Sequence, residues 1–120
     1  MNKAFGPMFE NAFSAATAWA QAEETPRHGG VVQRSGDTRF ELVTASDDAE
    51  IYLEDDGAAV SAANVSGKLT VMRGIARLEA RLEPVGGRLV AKGVRLARGE
   101  KVIAVVALPG KTASARFLVK

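Results

Sequence analysis

His28 is the only histidine of the 120-residue chain, and there is no cysteine. Metal coordination here must therefore come from one imidazole and from oxygen. An imidazole titrates near neutral pH and binds divalent transition metals through a ring nitrogen. As a ligand it needs partners, and two protein ligands alone make a weak, open site. The simpler reading of His28 is a side chain in a linker, hydrogen-bonded at a sheet edge. The missing thiols exclude a disulfide scaffold, a thiolate metal centre and a cysteine nucleophile. Met1, Met8 and Met72 are scattered, so no thioether cluster exists for copper(I).

Other groups have plainer explanations. Asp47-Asp48-Ala49-Glu50 and Glu54-Asp55-Asp56 could hold a hard cation through oxygen. Their spacing matches no calcium loop, and turn chemistry accounts for them more simply. Arg73, Arg77, Arg81, Arg88, Lys92, Arg95, Arg98 and Lys101 could form a phosphate stripe. Base stacking needs exposed aromatics. After residue 56 only Phe117 is aromatic, and it patterns with the core. A solvated face, or a surface for another protein, is the preferred reading, and no nucleic-acid partner is expected. Neither Gly29-Gly30 nor Gly86-Gly87 has the spacing of a phosphate loop, and there is no nucleophile elbow. The chain is expected not to be an enzyme.

The elements that must position these residues are strands. Residues 1–22 stand apart, with three of the five Phe and the only Trp. They read either as an export signal ending near Ala20 or Ala22, or as an amphipathic helix. In the helical reading Phe5, Phe9 and Phe13 share one face through their i, i+4 spacing. That face could dock a second copy, giving a homo-oligomer, or another chain. Residues 23–29 read as a polar linker, punctuated by Pro26 and glycine. Residues 30–120 read as one domain. Phe40 and Leu42 alternate with Arg39, Glu41 and Val43. Ile51 and Leu53 point inward before Asp55-Asp56-Gly57. Ala76, Leu78, Ala80 and Leu82 alternate with Arg77, Glu79 and Arg81. Pro84 to Gly87 reads as a turn, and a strand through Leu89 continues past Gly93 to Val94 and Leu96. Val102–Leu108 reads as a strand buried on both faces. Ala113, Ala115, Phe117 and Val119 share a face. The sum is about seven to nine short strands, an all-β domain with the signature of an immunoglobulin-like antiparallel β-sandwich.

Composition agrees with one ordinary domain, at 47% hydrophobic and 25% charged residues. No apolar run reaches about 18 residues, so no transmembrane helix is expected. The net charge of +2 hides a division. Residues 23–56 carry ten acids against Arg27, Arg34 and Arg39, a balance of −7. Residues 57–120 carry twelve bases against Glu79, Glu83 and Glu100, a balance of +9. Such halves either form opposed patches or neutralise each other in the fold.

His28-Gly29-Gly30-Val31-Val32, followed by Gly36-Asp37-Thr38-Arg39-Phe40-Glu41-Leu42-Val43, resembles small periplasmic β-domains. These lie in or beside the adaptor (membrane fusion) subunits of heavy-metal RND efflux systems. Ile51-Tyr52-Leu53, Leu82-Glu83-Pro84 and Leu108-Pro109-Gly110-Lys111 extend the likeness over residues 28–119. The resemblance implies a bacterial, periplasmic accessory domain in metal efflux or homeostasis. It would bind metal weakly or dock on an efflux adaptor. Glu41 carries over as a metal-ligand candidate beside His28, and a hairpin of residues 30–34 with 38–45 would bring the two together. One imidazole and carboxylates suit zinc, copper(II) or nickel. The alternative is a non-catalytic interaction domain with no ligand.

Overall fold

Strands with one apolar row must share an interior, because a slip of one residue would turn that row to water. The computed structural model describes residues 25–120. The expected signal-like or helical segment 1–22, with Phe5, Phe9 and Phe13, lies outside the described residues. The strands are β1 (Val31–Ser35), β2 (Thr38–Thr44), β3 (Ala49–Asp55), β4 (Ala58–Ala59), β5 (Ser66–Arg73), β6 (Ala76–Val85), β7 (Arg88–Ala91), β8 (Lys101–Leu108) and β9 (Lys111–Leu118). A short 3-10 turn, Ala62–Asn64, leads from β4 into β5. No helix among the described residues is long and apolar enough to cross a membrane.

Pairing is antiparallel throughout and follows one path, β1-β2-β3-β7-β6-β5-β8-β9, with β4 added beside β3. Strand β6 joins the two halves. Its first part, Ala76 to Leu82, pairs with β5, and Glu83 to Val85 then pair with β7. The path curls until β1 and β9, its two ends, lie side by side, so the sheet is nearly closed into a barrel. The all-β antiparallel expectation therefore holds. Strand β6 carries the pairing from one half to the other.

The interior is mainly aliphatic, and Phe40 of β2 and Phe117 of β9 meet in it edge-on, with centroids 6.4 Å apart. These rings come from the second and the last strand of the pairing path, so their contact helps hold the near-closed roll together. Around them pack Ile51, Leu69, Val71, Leu82, Leu89, Val102 and Val106, all essentially buried.

Three local expectations are corrected. Strand β8 alternates instead of being buried on both faces: Val102, Ala104, Val106 and Leu108 point inward, while Val105 is 37% exposed. Its outer row is exposed at Lys101, Val105 and Ala107 and partly buried only at Ile103. Pro84 belongs to β6 opposite Leu89, and the turn is confined to Gly86-Gly87. Val94 and Leu96 are buried but unpaired, because the chain leaves the sheet after Ala91.

Replacing Phe117 with Ala should remove the aromatic contact and leave a cavity. Urea unfolding of Phe117→Ala is expected to show a loss of about 3–5 kcal/mol. The same change at exposed Leu118, one residue on, should cost under about 1 kcal/mol.

Candidate functional site

The outer row of β2 carries Arg39, Glu41 and Val43, because Phe40 and Leu42 take the inner row. Register places Glu54, Tyr52 and Glu50 of β3 directly opposite them. A row of charged groups normally faces water, yet Arg39 is 5% exposed and Glu41 is fully buried. The cover is the chain itself. Residues 25–30, which include most of the expected linker, lie across this row as a strap.

Two glycines let the strap approach. Gly29 takes a φ of +75°, which favours a residue without Cβ. At Gly30 a Cβ would lie 2.1 Å from the Leu42 carbonyl oxygen, so any side chain there would displace the strap.

Glu41 holds the strap down. Its Oε1 accepts the Arg27 amide at 3.0 Å and lies 3.1 Å from His28 Nδ1. Its Oε2 accepts the amides of His28 at 2.8 Å and Gly30 at 3.0 Å. A carboxylate offers about four acceptor positions, and here each has a donor. Burial alone would push this carboxyl pKa up. The Gly30 amide, the His28 ring and the His28 and Arg27 amides outweigh burial, and the group ends below its ordinary value. Arg39 Nη2 donates to the Thr25 carbonyl oxygen at 2.7 Å, and Arg27 pairs with Glu54.

The His28 ring lies flat on Tyr52, with centroids 3.6 Å apart and planes 6° from parallel. The Tyr52 hydroxyl donates to Glu50 Oε1 at 3.4 Å, and Arg88 Nε sits 3.1 Å from Glu50 Oε2. Burial and the negative charge of Glu50 raise the Tyr52 pKa. An ionised carboxylate can only accept, so in the neutral ring Nδ1 carries the proton. Nε2 is then the acceptor nitrogen on a side chain that is 43% exposed.

The structure thus brings the two ligand candidates together and separates their roles. Glu41 has no acceptor position left for a metal ion. It orients the imidazole, as a carboxylate behind a metal-bound histidine does. Among the described residues no group of three or more His, Asp or Glu could hold a metal ion.

The acidic turns have structural duties. Asp47 pairs with Arg95, Asp48 accepts the Gly93 amide, and Asp55 takes Thr38 and Lys111. Sequence reasoning missed Tyr52 and the strap itself. The signal for Tyr52 was present, since Ile51 and Leu53 pointing inward turn it to the Glu41 side. Compared with family models, curated proteins and solved structures, the chain matches none of them.

Because the Glu41 pKa is depressed by folding, its contribution is complete above the ordinary glutamate pKa and is lost as pH falls through the folded value. Glu41→Gln keeps the shape but loses acceptor capacity for the strap amides. Chemical unfolding at pH 7 should show it roughly 2–4 kcal/mol less stable than wild type. Its stability should also fall less steeply on acidification below about pH 5.

Proposed function

We propose that this chain is a non-catalytic accessory binding domain of heavy-metal efflux or homeostasis, acting in the periplasm. It offers a divalent transition metal ion such as zinc, copper(II) or nickel one ligand, the Nε2 of His28. The observation that carries this reading is the orientation of the ring: Glu41 holds Nδ1, Tyr52 supports the face, and the half-exposed side chain keeps the other nitrogen as an acceptor. The likeness of the His28–Val43 stretch to domains beside metal-efflux adaptors supports the same reading.

One protein ligand gives a weak site that exchanges quickly. Water, or a ligand from a docked efflux component, completes the coordination. Such a site suits handing an ion on rather than storing it. Glu41 acts behind the metal by fixing the tautomer and raising the basicity of the ring.

A second reading rests on the completeness of the same contacts. Every acceptor position of Glu41 is used without an ion. On that reading the strap is purely structural, and the chain is an interaction domain without a ligand.

Calorimetric titration of the full chain with zinc, copper(II) and nickel separates the two. The metal reading predicts weak binding, with Kd on the order of 0.1–1 mM, abolished in His28→Ala. No heat above dilution favours the structural reading, and heat unchanged in that variant overturns His28 as the ligand.

A further inference from the structure

The charge division of the sequence resolves unevenly in the fold. The acidic half is neutralised in part: Arg88, Arg95 and Lys111 from the basic half pair with Glu50, Asp47 and Asp55. Unpaired cations remain elsewhere. Arg98, Lys101 and Arg116 are exposed and have no ion-pair partner among the described residues. They gather at one end of the β5-β6-β8-β9 face.

Register builds this end. Arg77, Met72, Lys101 and Leu118 stand directly across from one another on β6, β5, β8 and β9. Directly opposed residues of antiparallel strands share a face. Met72 is 36% exposed and Leu118 53%. Beside this row the Gly74-Ile75 turn joins β5 to β6, and Ile75 projects fully into solvent. The next row adds Arg116 and partly buried Ile103. Its acid, Glu79, is already held by Arg77 and Lys68.

We propose that this end of the sheet docks on an anionic lipid surface, with Ile75 entering the headgroup layer and Lys101, Arg98 and Arg116 contacting lipid phosphates. Two observations favour lipid over a protein partner. The protruding apolar group is a lone aliphatic at a hairpin tip, which a fluid layer accepts without a matching pocket. The cations are long, unpaired side chains, suited to a diffuse negative surface rather than a fixed carboxylate pattern. Aliphatic tips with flanking cations also supply both attractions that peripheral membrane binding combines, apolar burial and charge. This inference is independent of the metal reading.

The test is sedimentation of the full chain with phosphatidylcholine vesicles, alone or with roughly 30 mol% phosphatidylglycerol. Binding is expected only with the anionic lipid, with release in roughly 0.5 M salt. The variant Ile75→Ser/Lys101→Gln/Arg116→Gln changes only exposed side chains, and circular dichroism confirms its fold. Its affinity should fall at least about twenty-fold, with about five-fold from each cation. Absence of wild-type binding overturns the proposal. So does binding that the variant retains, as residues 1–22 alone would produce. Light scattering supplies the remaining arm: self-association that the same variant abolishes, without lipid binding, would reassign this surface to a second copy of the chain.

Discussion

A fully buried carboxylate is tolerable only when its lone pairs are filled, and Glu41 fills them with its own chain. That requirement organises one side of the molecule. It draws residues 27–30 across β2 and fixes where glycine must stand. It also turns the His28 ring onto Tyr52 and settles which imidazole nitrogen faces outward. Arg39 and Glu54 sit on the same row, and they bind the strap at Thr25 and Arg27. The strap is therefore part of the sheet's outer layer, held by its backbone amides on Glu41, by two arginines and by the His28–Tyr52 stack.

The charge asymmetry has a comparable logic. Pairs such as Asp47–Arg95, which is mostly exposed, contribute little stability. Their effect is positional. They tie the β2–β3 turn to the segment after β7, and Lys111 ties the start of β9 to the end of β3. Once these pairs form, the surplus cations lie on the half of the sheet built from β5, β6, β8 and β9. A net charge near zero thus coexists with a one-sided positive face.

Much of this was legible in the sequence. The alternation at Phe40–Leu42, Ile51–Leu53 and Leu78–Leu82 located strands because one buried face forces a period of two. Asp55-Asp56-Gly57 announced a hairpin, and Asp56 and Gly57 both have positive φ. The juxtaposition of His28 with Glu41 also followed from the hairpin of β1 with β2. What escaped was set by distant partners. β8 looked buried on both faces because its composition is apolar, but its outer row is mostly exposed. The residues around His28 looked like a linker because their side chains are polar. Their order comes from backbone amides that meet a single carboxylate, and amides leave no mark on composition.

The claim that Glu41 clamps the strap and orients His28 is most directly tested by long-range proton–nitrogen NMR of the neutral His28 ring. The account predicts a single tautomer protonated at Nδ1, with Nε2 bare, and loss of that preference in Glu41→Gln. A ring protonated at Nε2, or one averaging freely between tautomers in the wild type, would contradict it.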